Sequence, residues 1–406
     1  GDAFAASAAA LPGGRAEQTL VRSGVLQTEV YPLTMFSVGG MLLFPAANDL
    51  LMMFIALEVL SFPLYILAGM ARRRRLLSQE AALKYFLLGA FSSAFFLFGA
   101  AFIYGYSGSL VFAEIDTALA GRVGQEALLL TGVALVAVGL LFKVGAAPFH
   151  AWTPDVYQGA PTPVTGFMAA CTKLAAFGAM LRIFYVAFGG MRTDWQPMFW
   201  AVAIVTMVFG AVVALTQTDI KRMLAYSSVA HAGFILTGVV VADPAGTASV
   251  LFYLATYGFA TVGAFAVVTL VRSGGGEATH LASWAGLAKR SPVVAASFAV
   301  FLLALAGIPL TSGFVGKLTV FTAAIEGGAL PLVIVGLVAS AIAAFFYVRV
   351  IVLMFFSEPA ADGPTVAVPS LWTTVGIAVT VALTIALGIL PDPLLDLAQQ
   401  AAIFIR

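Results

Sequence analysis

Four lysines stand inside long apolar runs of the sequence, where a charged side chain is costly. They are Lys84, Lys143, Lys173 and Lys317. Most of the fourteen arginines, by contrast, lie in the polar joints between those runs. Burial lowers the pKa of a lysine ammonium, whereas an arginine keeps its proton. Because a charge at the centre of a membrane-spanning helix costs at least about 2.5 to 3.5 kcal/mol, these lysines indicate sites that hold and release protons.

One carboxylate accompanies these lysines. Glu58, in "FIALEVLSFPLYIL", is the only acidic residue deep in an apolar run, and a nearby carboxylate stabilises the charged form of a lysine. We predict that Glu58 pairs with Lys84 and that a change in their separation switches protonation. A structural alternative stays open for each of them. Lys84 is close enough to the end of its run to reach the membrane surface, and the other lysines could serve as counter-ions for packing.

Two histidines are candidates for relays between these groups. His150 follows Pro148 and either forms hydrogen bonds at the membrane interface or links the cytoplasm to Lys143. His231, in "SSVAHAGF", is flanked by small residues typical of helix contacts, so packing and relay are both open. His280 lies in a polar joint, and no role is predicted for it.

The composition identifies the class of protein. Hydrophobic residues make up 61% of the chain, charged residues only 10%, and the mean hydropathy is +1.03. These values predict an integral membrane protein, and its lipid-facing backbone must be helical to satisfy its own hydrogen bonds. The net charge of +1 argues against a nucleic-acid surface. The single cysteine, Cys171, excludes an internal disulfide, a cysteine-ligated zinc site and an iron–sulfur cluster held by this chain alone.

Apolar runs of membrane-spanning length follow one another along the chain. We predict eleven spans at 27–46, 48–70, 80–106, 126–150, 161–189, 197–216, 219–242, 246–273, 293–326, 328–357 and 369–391. Residues 1–26 and 274–292 are the long polar joints, and the second is predicted to form a short interfacial helix.

Basic residues predict the orientation, because they concentrate on the cytoplasmic side. Eleven of them fall on one side when the spans alternate, namely Arg15, Arg22, Arg72, Arg73, Arg74, Arg75, Lys221, Arg222, Arg272, Lys289 and Arg290. Only Arg122, Arg192 and Arg406 fall on the other side.

Two spans contain helix breakers, in "KVGAAPFH" and in "LALAGIPLTSGFVGK". Non-helical backbone at membrane depth is expected to line a wet cavity or to be buried. The two breaks are five spans apart, and an odd number of crossings inverts the second copy relative to the first. The predicted fold is therefore an all-α polytopic membrane protein with two inverted five-helix repeats, each with one broken helix, and a C-terminal helix. Its parts are a polar segment (1–26), a first repeat (27–189), an inverted second repeat (197–357) and a C-terminal helix with its tail (369–406).

Four motifs in this order resemble the antiporter-like subunits of respiratory complex I. They are "LEVLSFPLYILAG", "KVGAAPFHAWTPDVYQGAPTPVTGFMAACTKLAAFGAMLRIF", "QTDIKRMLAYSSVAHAGFIL" and "LALAGIPLTSGFVGKLTVF". The stretch "TPDVYQGAPTPVT" resembles the N type of these subunits more than the L and M types. The resemblance covers residues 27 to 391. The family has three further spans before this point, so we expect an N-terminal part to be absent from this sequence.

The resemblance implies a proton-translocating membrane subunit of NADH:quinone oxidoreductase without redox centres of its own. The family's functional residues fall on Glu58, Lys84, Lys143, His150, Lys173 and Lys317. NADH, quinone, flavin and iron–sulfur clusters are implied elsewhere in the complex. The implied partners are the other membrane subunits, including neighbouring antiporter-like subunits, and the implied location is the bacterial cytoplasmic membrane.

Two other functions remain open at this point. A subunit of a multi-subunit cation/proton antiporter would use the same lysines. A scaffold that only anchors a quinone site would transport protons normally after the buried lysines are neutralised.

Overall fold

A computed structural model of the chain describes residue 4 and residues 14–23, 29–72, 74–121, 124, 126–273, 276–359 and 363–403. The described residues are mostly helical. Their α-helices are α1 (Arg15–Arg22), α2 (Val30–Ala46), α3 (Leu50–Ala68), α4 (Arg75–Ser107), α5 (Phe112–Gly121), α6 (Glu126–Val144), α7 (Trp152–Gly159), α8 (Thr162–Phe167), α9 (Lys173–Arg182), α10 (Arg192–Leu215), α11 (Ile220–Val241), α12 (Pro244–Val268), α13 (Leu287–Arg290), α14 (Pro292–Ala306), α15 (Ser312–Glu326), α16 (Leu330–Phe356), α17 (Leu371–Ile389) and α18 (Asp392–Ala401). Two π-helical turns, Met168–Thr172 and Ile183–Ala187, extend α8 and α9 into one helix over Thr162–Ala187. Short 3₁₀ turns cover Gly189–Met191 and Leu281–Trp284.

The predicted all-α membrane fold is confirmed. Nine helices among the described residues are long and apolar enough to cross a bilayer: α3, α4, α6, the helix over Thr162–Ala187, α10, α11, α12, α16 and α17. The apolar helices α2 and α14 are shorter, with 17 and 15 residues. These elements lie at the positions of the predicted spans, and the ninth span is divided between α14 and α15 by its break.

Several elements differ from the sequence prediction. α5 occupies the joint after α4, and α7 is a separate helix after the first break. The expected interfacial helix at 274–292 is wrong for most of that segment. In its place the described residues form β1 (Val271–Ser273) and β2 (Gly276–Glu277), which join β3 (Thr365–Val366) in an antiparallel sheet of order β2-β1-β3, followed by a 3₁₀ turn and the four-residue α13. Strands this short carry too little periodicity to be recognised, and β3 pairs from far along the chain.

Short polar residues in the joints start the helices. An aspartate or serine at the N-cap accepts a hydrogen bond from a free backbone N–H of the first turn. Asp49 accepts from Met52 N at 2.7 Å, and Asp243 accepts from Gly246 N at 2.6 Å. Asp219 accepts from the first two residues after Ile220, at 2.9 and 3.1 Å. These caps explain where α3, α11 and α12 begin.

Both predicted breaks are present. α6 ends at Val144, Gly145 has φ +73°, and the chain turns before α7 begins. α14 ends at Ala306, and Gly307 follows with φ +80°. This left-handed backbone favours glycine. The breaks place non-helical backbone in the interior of the bundle, beside two of the lysines described below.

The basic residues predicted on one side of the membrane meet at one end of the bundle. Arg74 donates to Thr279 Oγ1 at 3.1 Å, and Lys289 Nζ lies 2.5 Å from Glu358 Oε1. Arg192 lies at the opposite end, where it donates to the Val241 carbonyl at 2.6 Å. Arg73, Arg122 and Arg406, and much of the predicted 1–26 segment, lie outside the described residues.

Candidate functional site

Lys143 lies at the end of α6, immediately before the first break, and its side chain is buried. Its ammonium donates to Ser61 Oγ on α3 at 2.6 Å. The rings of Tyr65 and Tyr85 lie with their centroids 5.7 and 5.6 Å from Nζ, within the range of cation–π attraction. Lys143 is thus held by one hydroxyl and two aromatic faces, as the prediction of a deeply placed lysine requires.

Glu58 is the carboxylate of α3 that comes near Lys143 along the chain of contacts. It lies one helical turn before Ser61, whose hydroxyl accepts from the Lys143 ammonium. Its Oε1 atom is buried and has no hydrogen-bond partner among the described residues. Burying an unpartnered charged oxygen is unfavourable, so a change in the distance between Glu58 and a cation strongly affects its energy.

The predicted pairing of Glu58 with Lys84 is not found in the structure. Lys84 Nζ instead lies 2.7 Å from Asp155 Oδ2 and 2.7 Å from Glu80 Oε1. Asp155 also accepts from Arg222 Nη1 at 2.7 Å. The Lys84 side chain is 42% exposed, because its long stem reaches towards the end of the bundle where α7 begins. The sequence prediction overlooked Asp155, although an aspartate just after a broken helix is a visible signal.

Lys173 begins α9 and is also buried. Its ammonium donates to the carbonyl and the hydroxyl of Ser228 on α11, at 2.5 and 2.7 Å. The Tyr257 ring centroid lies 5.3 Å from Nζ, and Tyr257 Oη donates to Ser228 Oγ at 2.8 Å. Tyr157 Oη lies 3.5 Å from the same hydroxyl. Ser228 is therefore the junction between Lys173 and two tyrosines.

His231, one turn further along α11, lies inside a cluster of hydroxyl groups. Its Nδ1 atom lies 2.8 Å from Tyr253 Oη, and its Nε2 atom lies 3.3 Å from Tyr347 Oη. Tyr347 also hydrogen-bonds to Ser227 Oγ. His231 thus connects the Ser227 and Ser228 region with α12 and α16. These contacts favour the relay alternative over simple packing, and the tyrosines involved were missed because single polar groups in apolar runs carry little signal.

Lys317 lies on α15, just after the second break, and its ammonium binds the end of the preceding helix. It donates to the carbonyls of Leu305 and Ala306 at 3.3 and 2.8 Å, and to Ser340 Oγ at 2.7 Å. Polar groups therefore occur from Lys173 through Ser228 and His231 towards Lys317, although no direct hydrogen bond joins His231 to Lys317 among the described residues.

His150 and the region between Lys143 and Lys173 are less continuous. His150 packs against Phe209 with ring centroids 4.5 Å apart, and its buried Nδ1 atom has no hydrogen-bond partner among the described residues. Between Lys143 and Lys173, Tyr85 stacks on Trp152 at 4.7 Å, and Trp152 meets Tyr157 at 6.2 Å. The two lysines are separated by aromatic rings rather than by direct hydrogen bonds.

The burial of a further lysine was missed by the sequence prediction. Lys221 is predicted only as one of the basic residues on the cytoplasmic side, at the start of the span 219–242, yet its side chain is only 1% exposed. Its ammonium donates to the Ala160 carbonyl at 2.8 Å and lies 3.6 Å from Glu277 Oε2. The prediction failed because Lys221 follows the Asp219 cap in sequence, whereas the β1–β2 hairpin that covers it comes from a distant segment.

Comparison with known proteins places this arrangement among membrane subunits. Residues 47–343 match the family described as NADH:quinone oxidoreductase/Mrp antiporter, TM. The chain is 68% identical over 416 residues to "NADH-quinone oxidoreductase subunit N 3" of Streptomyces griseus, covering 100% of this chain and 75% of the relative. It is also 68% identical over 405 residues to "NADH-quinone oxidoreductase subunit N" of Rhodococcus opacus, with the same coverage.

Solved structures show the same fold. A chain of respiratory complex I from Thermus thermophilus with bound aureothin matches with a TM-score of 0.79 and 38% identity, covering 93% of this chain and 82% of that one. A chain of the Mrp complex from Dietzia sp. matches with a TM-score of 0.82 and 25% identity, covering 91% and 77%.

Proposed function

The chain belongs to the NADH:quinone oxidoreductase and Mrp antiporter family of membrane subunits, and from that premise we propose that it translocates protons as a subunit N type component of NADH:quinone oxidoreductase. It is a multi-pass membrane protein, and its neighbours would be the other membrane subunits of the complex. Electron transfer from NADH to quinone elsewhere in the complex would supply the energy. NADH, flavin, iron–sulfur clusters and quinone belong in this proposal to other subunits.

The burial of Lys143, Lys173 and Lys317 carries the proposal. Their exposed fractions are 4%, 3% and 5%. Among the described residues, the hydrogen-bond partners of the three ammonium groups are hydroxyls and carbonyls, and none forms a direct ion pair. A buried cation without a carboxylate in contact is costly. This cost favours the neutral amine, so each of these lysines can lose its proton. Groups of this kind can accept a proton at one moment and release it at another.

The two broken helices support a division into repeats. In this proposal residues 27–189 form the uptake repeat and residues 197–357 the inverted exit repeat, with 1–26 and 369–406 outside them. The breaks after Val144 and after Ala306 occur five spans apart, and each has a buried lysine beside it. Non-helical backbone of this kind is typical of the working sites of inverted-repeat transporters.

The proposed route runs laterally through the bundle. A proton enters from the cytoplasm past His150 to Lys143 and then to Lys173. From there it passes along Ser228 and His231 to Lys317 and leaves on the opposite side. Water carries it between groups that are too far apart for direct transfer.

Lys84 controls the first step of this route in our proposal. While Asp155 holds Lys84, the Glu58 charge stabilises a protonated Lys143. When Lys84 moves to Glu58, that stabilisation is withdrawn and Lys143 releases its proton.

A cation/proton antiporter subunit is the second candidate, because the Mrp complex chain has the same fold. The identity of 38% to the complex I chain against 25% to the Mrp chain favours the first candidate. Flavin and iron in the complex purified through this chain would support the oxidoreductase assignment, and their absence would support the antiporter.

The proposal is tested by Lys143→Ala and Lys317→Ala in the assembled complex. NADH-driven acidification of inverted vesicles is measured together with the rate of NADH oxidation. Acidification should fall about tenfold or more in each variant, since a positioned acid–base group contributes at least that factor to proton transfer. Lys289→Ala removes an exposed lysine as the matched control. Native acidification at native electron flux in both variants would refute proton translocation through these lysines.

A further inference from the structure

One buried ion pair takes no part in the route described above. Lys221 and Glu277 meet at the end of the bundle where the basic residues gather, with Nζ 3.6 Å from Oε2. The Lys221 side chain is 1% exposed, whereas that of Glu277 is 20% exposed. The carboxylate therefore has an edge in contact with solvent, while its partner is sealed inside the protein.

The surroundings hold this carboxylate in a defined position. Thr162 Oγ1, in the first turn of α8, donates to Glu277 Oε2 at 2.5 Å. Arg74 Nη2 donates to the Glu277 main-chain carbonyl at 3.0 Å and so fixes the β1–β2 hairpin. The Arg74 guanidinium thus binds the Glu277 main chain and the Thr279 hydroxyl, whereas the Glu277 carboxylate contacts Thr162 and Lys221.

Polar groups continue from this pair towards Lys173. Lys221 and Ser228 lie seven residues apart on α11, which places them on the same helix face about 10 Å apart. On α8, Thr165 is buried one turn after Thr162 and donates to the Tyr157 carbonyl at 3.1 Å. Tyr157 Oη in turn lies 3.5 Å from Ser228 Oγ, the acceptor of Lys173. Lys221, which donates to the Ala160 carbonyl just after α7, and Ser228, which accepts from Lys173, thus lie on the face of α11 that packs against α7.

We propose that Glu277, Thr162 and Lys221 form a proton-loading site on the cytoplasmic side that supplies Lys173 without passing His150 and Lys143. This inference rests on the proposed function. A proton from water binds the Glu277 carboxylate. The Lys221 ammonium releases its own proton inwards, through water and the Ser228 hydroxyl, to a neutral Lys173. The Glu277 carboxyl then returns its proton to Lys221, so that one proton enters for each one delivered.

The competing explanation is a structural clamp, in which the charges only fasten the hairpin to α11. A clamp needs the shape and hydrogen bonds of residue 277 but not its ability to exchange a proton. A small diffusible acid can replace a proton-exchanging carboxylate, whereas it cannot replace a clamp.

The test uses Glu277→Gln and Glu277→Ala in the complete complex reconstituted into vesicles with NADH and quinone. The measured quantity is the initial rate of membrane-potential formation, with sodium formate absent or present. Both variants should lower this rate about threefold or more, since a positioned acid–base group is lost, and formate should restore most of the rate in Glu277→Ala. Glu358→Gln, which alters the exposed partner of Lys289, is the control and should show neither effect.

The outcomes separate this inference from the proposed function. Native rates in both Glu277 variants, or a loss that formate does not restore although the complex is assembled, would overturn the loading site. Lys173→Ala and Lys317→Ala are measured in the same vesicles. If they form a membrane potential at the native rate, the proposed function itself fails. If they do not, while the Glu277 variants do, only the loading site is wrong.

Discussion

The lysines beside the two broken helices have different hydrogen-bond partners. At the first break the Phe142 carbonyl accepts from the Trp152 indole at 2.9 Å, and Lys143 instead donates to Ser61 on α3. At the second break, the carbonyls of Leu305 and Ala306 accept from Lys317 itself. The first lysine is thus bound to a neighbouring helix, and the second is bound to the break.

Because of this difference, the charge of Lys143 in the first repeat and the charge of Lys317 in the second repeat are stabilised in different ways. The carbonyl end of a helix is the negative end of its dipole, so it stabilises a cation in a fixed way. Lys317 therefore has a constant electrostatic environment. In the proposed mechanism Lys143 depends on Glu58, whose effect changes with the position of Lys84. We therefore propose that the first half senses the state of the complex and that the second half passes the proton on.

The largest expected effect comes from adding a methyl group at the breaks. In Gly307→Ala the new Cβ would lie 2.8 Å from Lys317 Cδ, and the residue has φ +80°. We expect the free energy of unfolding to fall by about 2 kcal/mol, the upper end of the cost of left-handed backbone, and proton pumping to fall with it. In Gly145→Ala the Cβ would instead meet Thr153 Oγ1 at 2.9 Å, so stability should fall while pumping per assembled complex is kept. Denaturation in detergent and vesicle acidification measure the two quantities. Equal loss of pumping in both variants would contradict the comparison.

The next largest effect concerns the variable control of Lys143. Glu58→Gln keeps the shape of the side chain but removes its charge, so Lys143 loses its electrostatic support. Pumping should fall about tenfold, which corresponds to about 1.4 kcal/mol of lost stabilisation of the protonated lysine. Glu114→Gln, at an exposed glutamate on α5, is the control. Unchanged acidification by Glu58→Gln would show that Lys143 is not controlled through α3.

The smallest effect compares the two serines. Ser61 is the one hydroxyl bound by Lys143 among the described residues, whereas Ser340 is one of three acceptors of Lys317. Removing a hydrogen bond worth about 1 kcal/mol gives about a fivefold change. Ser61→Ala should therefore lower pumping about fivefold and Ser340→Ala by less than about twofold. The reverse order of the two variants in vesicle acidification would contradict the assignment of fixed and variable environments.

The fold and the buried lysines were predictable because they depend on local signals. The sequence alone shows the long apolar runs, the glycine and proline residues in two of them, and the lysines away from the joints. The partner of Lys84 was not predictable, because a flexible side chain can reach several carboxylates and only the tertiary structure places Asp155 beside it. The burial of Lys221 was missed for the same kind of reason, since it depends on Glu277, 56 positions further along the chain. The local sequence also does not indicate that one histidine, His231, is surrounded by Tyr253, Tyr257 and Tyr347.

The most direct test of the central claim is Lys317→Arg in the assembled complex. Arginine keeps a positive charge that can bind the Leu305 and Ala306 carbonyls, but it does not release its proton. The account predicts that NADH-driven acidification is lost as fully in Lys317→Arg as in Lys317→Ala, although the complex assembles, while Lys289→Arg pumps normally. Native acidification by Lys317→Arg would show that residue 317 contributes only its charge and that no proton passes through it.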